Sequence, residues 1–136
     1  MVLIACVGWL DVAAPEKVFS AEELANFKGD DDGPIYLAVM GLVYDVTKGR
    51  DFYGPGGGYA FFTGIDGSRA FVTGDFTPEG LIDDVTDLKN EDYLGLLQWS
   101  EFYAKDYKIA GLLIFVLFIL KKCVHKINWY GHFRVC

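Results

Sequence analysis

Two tyrosines six residues apart, Tyr53 and Tyr59, bracket the run Gly54-Pro55-Gly56-Gly57-Gly58. A turn so poor in side chains cannot pack by itself. Its glycines permit φ > 0 conformations and let backbone come close to a flat ligand, and proline sets the turn. The phenols at its two ends are then the only chemistry the segment carries. A phenol can stack, donate or accept a hydrogen bond, or, once ionised, ligate a metal.

Elimination narrows that chemistry. Both histidines, His125 and His132, fall near the C-terminal end, so Met1 to Lys108 contains none. No Ser-His-Asp triad, zinc cluster or bis-histidine haem site can be assembled in that stretch. No P-loop is present, and the glycines of residues 54–58 lack the strand-to-helix context of a dinucleotide fingerprint. No pair among the many acids is marked out for glycosidase chemistry. The expectation is a protein that binds rather than catalyses. Haem is a flat ligand that a tyrosinate can hold, because ferric iron favours the anionic phenolate. On the residues alone Tyr53 and Tyr59 are equal candidates, and packing is the commoner use of a tyrosine beside a glycine turn. A second strong iron ligand, as electron transfer would need, is offered in the body only by Met40, expected inside a strand.

The elements that must position this loop can be read from the pattern. Ser20-Ala21-Glu22-Glu23 is a capping box opening a short helix from Ala21 to about Phe27, which stops near Gly29. Asp30-Asp31-Asp32-Gly33-Pro34 is a solvated turn rather than a calcium loop, because no Glu follows at the spacing an EF-hand requires. Ile35–Met40 and Leu42–Val46 are β-prone runs separated by Gly41 and read as paired or bent strands. Tyr59–Phe62 reads as a turn of helix, and Asp66 as the N-cap of another through Arg69–Val72. Thr77-Pro78 starts a further turn. From Asn90 to Tyr107 the residues Tyr93, Leu94, Leu96, Leu97, Trp99, Phe102, Tyr103 and Tyr107 recur at helical spacing, predicting a long helix most of whose aromatics are core.

Composition bounds the rest. The chain has 136 residues, 52% of them hydrophobic, enough for one domain with a core. All 19 acidic residues but only 8 of the 12 basic ones lie in Met1–Lys108, and that acidic body argues against nucleic acid as a partner. Cys6, Cys123 and Cys136 are too far apart for a zinc site, and their odd number fits no disulfide framework. Met1–Leu10 is apolar but short for a signal or anchor. Ile109–Leu120 is twelve residues without a charge, against roughly 20 for a spanning helix, and Lys121-Lys122 follows it. It reads either as a buried strand or helix, or as an interfacial membrane segment.

The ordered set Tyr53–Tyr59, Phe62-Thr63-Gly64-Ile65-Asp66-Gly67-Ser68-Arg69-Ala70-Phe71, Val43-Tyr44-Asp45-Val46, Leu81-Ile82-Asp83-Asp84-Val85 and Trp99-Ser100-Glu101-Phe102-Tyr103 resembles the cytochrome b5-like haem/steroid-binding domain of the membrane-associated progesterone receptor family. The resemblance covers about ninety residues. It implies an α+β fold, a small mixed sheet supporting short helices around an open pocket. The domain is expected over 18–108, with an N-terminal segment at 1–17 and an atypical tail at 109–136. It also implies haem as cofactor, Tyr59 as the axial iron ligand, and Tyr53 and Tyr107 lining the same pocket. Asp106 stands where some relatives carry a basic residue able to meet a haem propionate, and an acid there would repel it. A signalling or partner-binding role, and an endomembrane or secreted location, follow from the family alone, as does a steroid ligand. A haem-free adaptor that uses the acidic surface and apolar tail for protein or membrane contacts is the rival reading. Past Lys108 the family pattern is lost, and Ile109–Leu120 either replaces the strand that closes the sheet or leaves it incomplete.

Overall fold

The computed structural model describes residues 17–116. Its frame is a hairpin, β2 (Tyr36–Val39) and β3 (Leu42–Asp45), paired antiparallel with Val39 opposite Leu42. The two-residue turn between them places Met40 at φ 51 and Gly41 at φ 79. Both are left-handed, as the favoured hairpin turn demands, and glycine suits the second position. Met40 is therefore a turn residue, 40% exposed, and not the strand residue expected from the sequence.

Alternation along the hairpin gives each face of the sheet its own core. Leu37, Val39, Tyr44 and Val46 point to one side and pack with Tyr53, Phe62, Ala70 and Tyr103. Ala38 and Val43 point to the other and pack with Phe19, Leu24 and Leu113. This is the period-two pattern of a sheet covered on both faces. On the second face the helix α1 (Ala21–Leu24) opens with the expected capping box, Glu23 N donating to Ser20 Oγ and Ser20 N to the Glu23 carboxylate. It is shorter than expected, and Phe27 beyond it stacks on Tyr36 at 4.4 Å.

Strand β4 (Lys108–Leu113) lies between β3 and β1 (Val18–Phe19), antiparallel to the former and parallel to the latter, giving the order β1-β4-β3-β2. The sheet thus runs past the boundary expected at Lys108. The apolar residues Leu112 and Leu113 are buried strand, which accounts for the lack of charge at the start of Ile109–Leu120. Leu117–Leu120 lie outside the described residues, as do residues 1–16 and the three cysteines. Among the described residues no helix is long and apolar enough to cross a membrane.

The first face carries α2 (Arg50–Tyr53), α3 (Ala70–Thr73) and α4 (Asn90–Asp106). The Asp92 carboxylate accepts from Lys89 N at the start of α4. Tyr44, fully buried, reaches Ser100 Oγ at 2.9 Å and so pins α4 to the sheet. Leu96 and Tyr103 are its buried residues, while Leu94, Leu97, Trp99 and Phe102 are exposed by 40–62%, so fewer of its apolar side chains are core than the spacing suggested.

Asp66 does not cap α3. Its carboxylate accepts from Gly41 N at 2.8 Å and from Ser68 N at 3.1 Å, while Ser68 Oγ accepts from Met40 N at 2.7 Å. The hairpin turn is thereby tied to the segment that enters α3, and the amide of Gly41 is satisfied away from any strand partner. Replacing Asp66 by alanine orphans these donors, and a carboxylate holding several of them contributes more than a neutral acceptor. Asp66→Ala is expected to lower folding stability by about 3 kcal/mol in urea titrations, against a negligible change for Glu101→Ala on the exposed face of α4.

Candidate functional site

Arg50 anchors the element that begins the glycine loop. Its guanidinium donates to the carbonyls of Gly29, Asp32 and Gly33, which ties α2 to the acidic turn. The loop then closes on itself. Gly54 N donates to Arg50 O, Gly57 N to Gly54 O, and Tyr59 N to Phe52 O, each within 2.9 Å. Gly56 adopts φ 83, and a Cβ on Gly57 would stand 2.4 Å from Phe52 O, so the closure requires glycine at these two positions. Backbone bonds rather than side-chain packing bring Tyr53 and Tyr59 together, their rings 6.1 Å apart.

The two rings border a cleft of about 480 Å³ whose other walls include Phe71, Phe76, Trp99 and Tyr103. Phe71 stacks on Phe62 at 4.3 Å and meets Trp99 at 5.4 Å, which makes that wall a continuous aromatic surface. Volume and lining match those of small-molecule sites, apolar with a few placed polar groups. The polar groups are phenols. Tyr53 and Tyr103, both buried, share a hydrogen bond of 2.8 Å between their hydroxyls. Burial pushes both phenols above their ordinary value, Tyr103 furthest, and for Tyr53 the bond to Tyr103 works against that rise. Tyr59 is half exposed, and its hydroxyl has no hydrogen-bond partner among the described residues, whereas those of Tyr44, Tyr53 and Tyr93 are engaged.

Of the three tyrosines named from the sequence, Tyr53 and Tyr59 therefore meet in one cleft. Tyr107 does not line it. Helix α4 ends at Asp106, and Tyr107 turns into extended backbone, with its ring edge-on to Tyr53 at 6.2 Å. It borders a separate polar groove with Asp45, Lys48, Lys105 and Asp106, and the Lys48 ammonium lies 4.9 Å over its ring. Burial and the neighbouring Asp106 carboxylate raise its phenol. Trp99 and Phe102, read as core from the sequence, are exposed cleft residues instead, whereas Tyr103 is buried core as expected and also borders the cleft. The i, i+4 spacing of Trp99 and Tyr103 marked one helix face, but nothing local showed that the face looks onto a cleft.

The residues 20–112 match the family model described as Cytochrome b5-like Heme/Steroid binding domain. The chain belongs to that family, in its membrane-associated progesterone receptor branch. It is similar to neuferricin from Danio rerio, with 46% identity over 109 residues that make up 79% of this chain and 41% of that protein. It is likewise similar to membrane-associated progesterone-binding protein 4 from Arabidopsis thaliana, 46% identical over 100 residues, 73% of this chain and 41% of the relative. Among solved structures, a hypothetical protein from Arabidopsis thaliana with a cytochrome b5 like fold aligns with a TM-score of 0.67 and 32% identity, over 77% of this chain and 97% of that one. The fold is accordingly the cytochrome b5-like α+β fold. The chain spans about two-fifths of the length of the curated relatives it matches.

The raised phenols of Tyr53 and Tyr103 give the cleft a pH signature. Ionisation is harder in the folded than in the unfolded chain, so their contribution to stability is complete below the ordinary phenol value of about 10 and is lost as pH rises above it. Unfolding free energies measured between about pH 9 and 11 should fall with pH in the wild type, and fall less steeply in Tyr103→Phe.

Proposed function

We propose that this domain binds haem in the aromatic cleft without catalysing a reaction, with the Tyr59 phenolate as the axial ligand. The observation that carries the reading is the contrast between the phenols of the cleft. Tyr53 and Tyr103 are buried, hydrogen-bonded to each other and held in their protonated state, whereas Tyr59 is half exposed and its hydroxyl has no partner among the described residues. A metal ligand must lose its proton, and the exposed phenol is the one that can do so without first breaking a buried bond. The remaining donors fit this choice. Among the described residues no cluster of histidine, cysteine and acid side chains could hold a metal. Met40 lies in the hairpin turn, outside the cleft.

The walls suit the rest of a flat macrocycle. Phe71, Phe76 and Trp99 offer ring surface for stacking and exclude water from one side, and the glycine loop leaves the rim beside Tyr59 clear. Bound there, haem supplies a ferric centre that a phenolate oxygen stabilises, which disfavours easy electron shuttling. Tyr107 and Asp106 take no part in this reading, because both line the separate polar groove with Asp45 and Lys48. A role in signalling or partner binding and an endomembrane or secreted location are proposals that rest on the family resemblance alone, and a steroid ligand on the family's description.

Haemin titration of the full chain, followed by absorption, tests the assignment. The expected spectrum is that of high-spin ferric haem with a tyrosinate charge-transfer band. That band should vanish in Tyr59→Phe, with affinity at least tenfold weaker (about 1.4 kcal/mol), and persist in Tyr53→Phe. A low-spin six-coordinate spectrum would point to electron transfer, and no Soret band to the haem-free adaptor.

A further inference from the structure

Two phenols joined by one hydrogen bond hold two protons, and their mutual bond uses one. Neither Tyr53 nor Tyr103 has a second hydrogen-bond partner among the described residues, and both border the cleft. One O–H is thus left over at the base of an otherwise aromatic site, where an unused donor is costly to keep. Tyr103 is the more enclosed of the two, 2% exposed against 7%, and packs among Tyr44, Phe71 and Trp99, none of which offers it an acceptor at the cleft. Its hydroxyl is best satisfied by donating to Tyr53. The proton of Tyr53 is then the free one, and its oxygen is polarised by the bond it accepts.

We infer that Tyr103 is a positioning residue for the cleft: by donating to Tyr53 it fixes the rotation of the Tyr53 hydroxyl and so presents one directed phenolic proton to the bound molecule beside Tyr59. The identity of that molecule as haem rests on the reading above; the phenol pair itself does not. Tyr103 lies on α4, which Ser100 fastens to the sheet through Tyr44, whereas Tyr53 lies on the short α2 at the base of the loop. The long helix therefore sets a hydroxyl that the loop alone would leave to rotate.

A double-mutant cycle separates this role from simple core packing. Haemin is titrated into the wild-type chain, Tyr103→Phe, Tyr53→Phe and the double variant, with near-ultraviolet circular dichroism to confirm that each is folded. Each single variant should bind about tenfold more weakly, as for a lost hydrogen bond to a charged group. The double variant should bind no worse than the weaker single one, and the charge-transfer band should survive in all four because Tyr59 is intact. Wild-type affinity in Tyr103→Phe, or losses that multiply in the double variant, would overturn the inference.

If the wild type takes up no haem, the haem reading fails by itself and the pair is judged on the protein alone. Ultraviolet titration of the tyrosines, with Tyr53→Phe as the assignment control, should then show Tyr53 ionising at higher pH in Tyr103→Phe, since its donor is gone. An unchanged or lower midpoint would overturn the inference equally.

Discussion

The hydrogen bond between the hydroxyls of Tyr53 and Tyr103 joins the helix that opens the glycine loop directly to the long helix α4. On one side stands a short helix and a loop of glycines, with almost no side chains to hold it. On the other stands a seventeen-residue helix fastened to the sheet by Tyr44 and Ser100. A buried bond of this kind adds little net stability when made and costs a great deal when one partner is removed, because the survivor is left unsatisfied in a low-dielectric site. Its effect is positional. With Tyr53 fixed, the backbone bond from Tyr59 N to Phe52 O carries the registration around the loop to Tyr59.

The same arrangement sorts the tyrosines by ionisation. Burial keeps Tyr53 and Tyr103 protonated, while Tyr59 is half exposed and has no hydrogen-bond partner among the described residues. Tyr107 follows Tyr103 by one helical turn, but α4 does not include it. Instead the helix passes directly into β4, because Lys108–Leu113 must enter the sheet between β1 and β3. The sheet's demand for a central strand therefore ends the helix before Tyr107, which lines the polar groove beside Lys48.

Local signals were read well from the sequence where one local mechanism decides the outcome. The reciprocal bonds of Ser20 and Glu23, the hairpin around Gly41 and the span of α4 all follow from short-range chemistry. What depended on tertiary context was less legible. Asp66 has the composition of an N-cap but is drawn across to the hairpin turn, where the amide of Gly41 needs an acceptor. The apolar run after Lys108 had the same hydropathy whether it became strand or membrane segment, and its pairing with β1 and β3 decided for strand over Lys108–Leu113. Within the site, Tyr53 and Tyr59 were visible because glycines frame them, whereas Trp99 and Tyr103 looked like ordinary core, since which face of a helix borders a cleft is settled by the elements packed against it.

The central claim, that Tyr59 offers its oxygen to the metal while the buried phenols stay protonated, is tested most directly by resonance Raman spectroscopy of the ferric haem complex prepared with ring-deuterated tyrosine. The account predicts five-coordinate high-spin iron and tyrosinate ring modes that shift on deuteration. Six-coordinate low-spin iron, or a spectrum without deuterium-sensitive modes, would contradict it.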